Sequence, residues 1–260
     1  MRYSALICGA ISSLLFASTQ VAAFSLPQPQ QEVVAGRIAL IEVNAAQGDA
    51  YSKYLLGLMF VSGRYQTQNI EQGLQLLQQA ANENVPDAQR ALADLNFEGR
   101  TVPRDLAAAE HWYLKLAQSG DHWAKFRLGF VYAAGGSGVS RDCGKAVQFF
   151  SDAGDKVSMG NVAWILATCP EPQFRDGERA VALATELLKS NDADPTYLDN
   201  LAAAYAEMGD FALAVATQKR ALAQLETATS QQLQGKADEF RQRLDDYRNH
   251  KPYREVLPLE

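Results

Sequence analysis

Residues 54–63 (YLLGLMFVSG), 90–99 (RALADLNFEG) and 126–135 (FRLGFVYAAG) follow one another at intervals of 36 residues. Each segment contains a leucine followed by a small residue, then an apolar or aromatic stretch, and ends on a glycine. A fixed period in this range is typical of stacked helical units and not of a single globular core. The sequence therefore predicts a solenoid, an architecture that acts mainly through extended binding surfaces.

Each of the three units predicts a helix A, a glycine-marked turn and a helix B. In the second unit we expect helix A at 88–98 and helix B at 106–118, joined by the turn GRTVPRD. Asp105 stands where an N-cap is preferred, and Asn69 and Asp142 take the same place in the neighbouring units. Helix B then presents a small residue followed by a large pair, which allows close packing of adjacent helices. The small residues are Gly73, Ala109 and Ala146.

These features resemble the Sel-like repeat (SLR), a subtype of the tetratricopeptide repeat (TPR) superfamily. The resemblance covers residues 45–154 and rests on the small-residue and Leu-Gly pattern of helix A, on the GRTVPRD turn, and on Ala109 with Trp112 and Tyr113. It implies an all-α fold, a right-handed α-solenoid of stacked antiparallel helix pairs. Because SLR proteins serve in bacterial envelopes as adaptors, regulators or host-interaction factors, the resemblance implies a non-enzymatic scaffold that binds a protein or peptide.

The segments on either side complete the predicted organisation. Residues 1–23 have a basic start, an apolar stretch and a small-residue exit, the pattern of a secretory signal peptide. Residues 24–46 predict a lead and a capping helix, and residues 47–155 contain the three Sel-like repeats. Residues 156–224 resemble two TPR units of different spacing. Residues 225–260 predict a C-terminal capping helix, beginning near residue 231, and an extended tail.

Composition narrows the classes of partner and the compartment. The chain has 260 residues, is 47% hydrophobic and carries a formal net charge of −6, which becomes −7 without residues 1–23 and their single charged residue, Arg2. An acidic chain disfavours nucleic acid as a partner, and no later apolar run reaches the length of a membrane span. We therefore expect an exported protein, periplasmic or secreted.

No catalytic motif emerges from the sequence. His111, His122 and His250 have no metal-like partner at helical or hairpin spacing. The chain contains no phosphate loop, G-x-S-x-G elbow or dinucleotide fingerprint. We therefore expect no catalytic residue, no metal and no cofactor.

Two alternative functions stay open. The first is β-lactam binding or hydrolysis, because the chain also resembles cysteine-rich secreted SLR proteins with that activity. Those proteins carry a cysteine pair in most repeats, whereas this chain has one pair at most. The second alternative is a structural module that assembles with itself.

Two cysteines follow the predicted signal peptide, and their positions favour a disulfide. Cys143 opens helix B of the third unit and Cys169 closes helix A of the next, so antiparallel packing brings these helix ends together. Disulfides persist in exported proteins. The alternative is two separate buried thiols, since the LATCP stretch resembles TPR units in which the cysteine is a packing residue.

The predicted ligand-binding surface is the concave face, which TPR-like stacks line with helix A. The positions that face this groove are unusually rich in aromatic residues and arginine, the types that dominate interface hot spots. Asn161 and Asn200 resemble an asparagine that bonds the ligand backbone in peptide-binding TPR domains, but Asp199 argues against a carboxylate clamp. The alternative is that these side chains pack between helices. The groove residues are Tyr51, Tyr54, Leu58, Arg90, Asp94, Trp123, Phe126, Arg127, Phe130, Asn161 and Asn200.

Overall fold

The computed structural model describes most of the chain after the predicted signal peptide. The described residues are 30–136, 138–189, 191, 193–227 and 236–259. The predicted signal peptide and the residues up to 29 lie outside them. Within the described ranges the chain forms twelve α-helices, one short 3₁₀ helix and a single isolated β-bridge, and no strand.

The α-helices begin and end close to the positions that the repeat predicts. They are α1 (Gln30–Ala46), α2 (Ala50–Ser62), α3 (Ile70–Asn82), α4 (Pro86–Glu98), α5 (Leu106–Gln118), α6 (His122–Ala134), α7 (Cys143–Ala153), α8 (Lys156–Thr168), α9 (Gly177–Leu188), α10 (Pro195–Glu207), α11 (Phe211–Thr227) and α12 (Ala237–Arg248). From α2 onward each helix packs on the next one in the chain, and α8 also packs on α10. This stacking confirms the α-solenoid. We call α2, α4, α6, α8 and α10 the A helices.

Local sequence decides where the helices begin and how the turns close. Asn69, Asp105 and Asp142 each accept a hydrogen bond from a backbone N–H three residues later, at 2.9–3.1 Å, which confirms the three N-caps. Asn84 stands where the next unit has Gly120, and both residues have positive φ angles, 61° and 89°. Because asparagine tolerates the left-handed region, the turn survives without its glycine.

Small residues let the two helices of a unit approach backbone to backbone. A Cβ atom added at Gly73 of α3 would lie 2.8 Å from the carbonyl oxygen of Gly57 and 2.9 Å from the backbone nitrogen of Val61. In the third unit, a Cβ at Gly129 would lie 2.6 Å from the ring of Phe150, which is fully buried. The repeated small residues therefore mark the points at which helices cross.

The close approach at Gly73 predicts a specific loss of stability. Gly73→Ala is expected to destabilise the protein by about 1–3 kcal/mol, because overpacking exceeds the roughly 1 kcal/mol by which alanine favours a helix. Gly36→Ala is the matched control, since a Cβ there meets no atom within 4 Å and is expected to leave stability unchanged or slightly raised. Urea unfolding followed by circular dichroism measures both. Equal effects of the two substitutions would contradict this account.

A disulfide joins the third unit to the one that follows. Cys143 begins α7 and Cys169 directly follows α8, and their bonded sulfurs hold Cα atoms 6.6 Å apart. Both residues are buried. The structure thus contains the bridge that the sequence favours over two separate thiols.

The bridge predicts the outcome of a thiol titration. In denatured, unreduced protein lacking residues 1–23 we expect the titration to detect no reactive thiol. In the Cys143→Ser variant we expect it to detect one. Removing both cysteines should lower the free energy of unfolding by about 3 kcal/mol, because the bridge closes a loop between residues 26 apart. Two reactive thiols in the unsubstituted protein would rule the bridge out.

The C-terminal segment differs in part from its prediction. Helix α12 begins at Ala237 in the described residues, whereas residues 231–235, where we expected its first turns, lie outside them. The tail after α12 has no regular secondary structure, as predicted. It reaches α8, where the backbone N–H of Glu255 donates to the carbonyl oxygen of Thr168 at 3.0 Å.

Candidate functional site

The aromatic groove residues of the first three units lie on A helices, and two of them are well exposed. Tyr51 is 51% exposed and Trp123 is 40% exposed. Tyr54, Phe126 and Phe130 are half-buried and pack against the core, as Leu58 does. The structure therefore divides the predicted aromatic set into two exposed rings and supporting rings that pack between helices.

Asp94 accepts hydrogen bonds from both Tyr113 and the exposed ring of Trp123. Its Oδ1 atom accepts a hydrogen bond from the hydroxyl of Tyr113 at 2.6 Å and a longer one from the indole Nε1 of Trp123 at 3.4 Å. Burial, together with the neighbouring Asp94 carboxylate, raises the pKa of Tyr113 far above its usual value. The Tyr113 hydroxyl therefore stays neutral and continues to donate its hydrogen bond to Asp94. This bond restrains the Asp94 carboxylate, which in turn restrains the indole of Trp123.

Two arginines on the same face are held by partners within the chain. The guanidinium of Arg127 lies between two rings, 4.5 Å from the centroid of Phe97 and 4.4 Å from that of Trp123. Such cation–π contacts are worth about 0.5–2 kcal/mol each. Arg90 forms an ion pair with Asp121, the N-cap of α6. The surface around Trp123 is therefore preorganised, because its charges are already paired or stacked.

A cleft of about 500 Å³ opens on the later A helices. Its walls come from α8, α10, α12 and the C-terminal tail, with Phe130 of α6 at one edge. Asn161 and Asn200 both line it, so the structure brings these two predicted residues together. Asn200 is buried, and its Nδ2 donates to the carbonyl oxygen of Gly160 at 2.9 Å. The Nδ2 of Asn161 is buried without a hydrogen-bond partner among the described residues.

A buried ion pair that sequence reasoning missed lies beside the cleft. Arg243 of α12 donates from Nε to Oδ1 of Asp199 at 3.0 Å, and its Nη2 lies 2.9 Å from Oδ2. Gln218 of α11 also donates to Oδ1, at 2.6 Å. Although burial opposes charge on Arg243, the adjacent carboxylate raises the pKa of its guanidinium. The signal was present in the sequence, since Arg243 interrupts the apolar spacing of Phe240 and Tyr247.

The model of the Sel1 repeat family matches residues 50–85, 86–121 and 124–156. The chain therefore contains three Sel1 repeats. The groove positions on α2, α4 and α6 fall inside the matched repeats except for Trp123, which lies between the second and third matches, and the cleft lies beyond them except for Phe130. Comparison with curated proteins gives no match.

Two solved structures resemble this chain in fold. A Sel1-repeat protein from Oxalobacter formigenes is 21% identical, with a TM-score of 0.58, over 87% of this chain and 74% of the other. A protective antigen present in uropathogenic Escherichia coli strains, with an SLR fold, is 17% identical, with a TM-score of 0.51. That comparison covers 80% of this chain but only 56% of the antigen. At these identities the likeness establishes the fold alone.

One group of side chains has metal-ligand chemistry but is already engaged. Cys143, Cys169 and Glu171 bring their ligand atoms within 4.8 Å of one another. The disulfide consumes both thiols, and Glu171 forms an ion pair with Arg141. With the bridge intact, this group offers a metal only one carboxylate.

The buried ion pair generates a stability prediction with a control on the same helix. Arg243→Met is expected to cost about 3–5 kcal/mol, because it leaves the Asp199 carboxylate buried without its cation. The double variant Asp199→Asn, Arg243→Met should lose less than the sum of the single variants. Arg241→Met is the control, since the Arg241 side chain is 54% exposed, and its expected effect is within about 0.5 kcal/mol. Similar losses for Arg241→Met and Arg243→Met in urea unfolding would contradict the prediction.

Proposed function

We propose that this Sel1-repeat protein is a non-enzymatic scaffold or adaptor that binds a protein or peptide through the face formed by its A helices. Helical repeat folds expose extended surfaces of this kind. The observation that carries the proposal is the position of Trp123, which is 40% exposed while its indole is held by Asp94 and stacked on Arg127. A large ring fixed in advance loses little conformational freedom on binding, as interface hot spots require.

The cleft on α8 and α10 supports the same proposal. Its volume lies within the range of ligand sites, about 300–1,000 Å³. Asn161 lines it, and its buried Nδ2 has no hydrogen-bond partner among the described residues, so this wall holds an unused donor. Exposed rings on the early repeats and a cleft on the later ones together suit a partner that contacts several units.

We further propose that the protein works in the bacterial envelope, in the periplasm or after secretion. The signal-like pattern of residues 1–23 supports export, and the Cys143–Cys169 disulfide suits an oxidising compartment. Both structural relatives come from bacteria. Among the described helices, none combines the length and apolarity that crossing a membrane requires.

The proposal is tested by photocrosslinking in producing cells. A crosslinking amino acid at Tyr51 or Trp123 is expected to capture the same discrete partner. The same group at Leu213, which is 45% exposed on α11, should capture none. Trp123→Ala should then weaken the purified complex at least about tenfold, the effect of losing a hot-spot ring, whereas Leu213→Ala should not change it. Equal binding by the two folded variants would remove the proposed face.

A further inference from the structure

The C-terminal tail lies against the protein as an extended peptide with one face turned inward. From residue 255 onward, burial alternates along the chain with a period of two residues, which is the period of an extended strand. Tyr253, Leu257 and Leu259 pack against the main hydrophobic core. The inward positions are Tyr253, Glu255, Leu257 and Leu259, and the exposed ones are Val256 and Pro258.

The end of α8 contacts both the main chain of the tail and the Arg254 side chain. Because α8 ends at Thr168, its last carbonyl groups have no partner within the helix. Thr168 accepts from the backbone N–H of Glu255 at 3.0 Å, and Ala167 accepts from the guanidinium of Arg254 at 3.2 Å. The bond from the Glu255 N–H involves only the main chain of the tail and is independent of its sequence, so it supplies affinity and leaves selection to the side chains.

The side chains of the tail meet groups that select their chemistry. The carboxylate of Glu255 accepts from the indole Nε1 of Trp164 at 2.8 Å. The ring of Tyr253 lies 5.9 Å from the ring of Trp164, centroid to centroid, and 5.3 Å from the guanidinium carbon of Arg243. An acid and an aromatic ring two residues apart are thus each matched by a specific partner on α8 or α12.

The tail also forms one wall of the cleft. Glu255, Leu257 and Pro258 line it on one side, while Asn161 and Asn200 line it from α8 and α10. The tail therefore covers part of this surface and leaves about 500 Å³ open beside it.

We propose that residues 251–259 are an intramolecular ligand of this site, and that the partner binds there through an extended segment with the same pattern, aromatic-x-acidic-x-Leu. The identity of the site as a partner site rests on the function proposed above. A tethered tail competes at an effective concentration on the order of millimolar. The apparent dissociation constant of the partner segment is then its intrinsic value divided by the fraction of time that the tail leaves the site free.

The experiment uses the full chain and a synthetic peptide with the sequence of residues 251–259. A spin label on Val256→Cys, an exposed position, reports release of the tail by its increased mobility. The labelled protein also carries Leu257→Ala and Leu259→Ala. These substitutions weaken the binding of the tail and leave every helix residue unchanged. We expect the peptide, at up to about 1 mM, to release the label saturably, with an apparent dissociation constant at least about tenfold lower than for the unweakened tail.

Peptide variants test the alternating pattern. Tyr253→Ala, Glu255→Ala or Leu257→Ala in the peptide should each weaken release at least about tenfold. Val256→Ala in the peptide is the matched control and should change release less than about threefold. Absence of saturable release, or equal release by all variants, overturns the proposal. Because no cellular partner is present in this assay, that failure stands apart from the outcome of crosslinking at Trp123.

Discussion

The stack depends on close crossings between helices at small side chains. At the crossing of α2 and α3, an added methyl group at Gly73 would lie 2.8 Å from a backbone oxygen, so no larger residue fits without moving the helices apart. Because a small residue recurs at Gly73, Ala109 and Ala146, at intervals of 36 and 37 positions, we expect a similar crossing in each unit. Repeated crossings place the A helices side by side, and the same geometry brings Trp123 and the supporting rings of α6 to one surface. Packing and the proposed binding face therefore share one cause.

Features that depend on neighbouring residues were predictable from the sequence, and those set by distant contacts were not. The caps at Asn69 and Asp105 and the helix bounds follow from short-range chemistry and the fixed period, and the cysteine bridge follows from the antiparallel packing of consecutive helices. The ion pair of Arg243 joins residues 44 apart, and the bond between Trp164 and Glu255 joins residues 91 apart. No repeat links these pairs. The alternation of covered and exposed residues in the tail is not a hydropathy pattern either, because the charged Glu255 faces inward whereas Val256 is exposed.

The surroundings of the predicted groove residues divide them into two groups. Asp94 and Arg127 are engaged by Tyr113, Phe97 and Trp123, so they position an exposed ring and are not free to bind a ligand alone. Asn200 gives its amide N–H to Gly160 and joins two helices. A residue pattern reports which side chains share a face. Only the three-dimensional contacts separate the side chain that meets a partner from those that hold it in place.

Helix α12 and the tail cover apolar surface of the preceding helices. A terminal repeat must cover an apolar face that the next unit would otherwise bury. Here α12 covers it with Phe240 and Arg243, whose charge is neutralised by Asp199, and the tail continues the cover over Trp164, leaving that ring only 7% exposed. A partner segment that replaced the tail would have to cover the same indole and satisfy the same helix-end carbonyl groups. The requirements of a cap therefore define the chemistry of the ligand that can take its place.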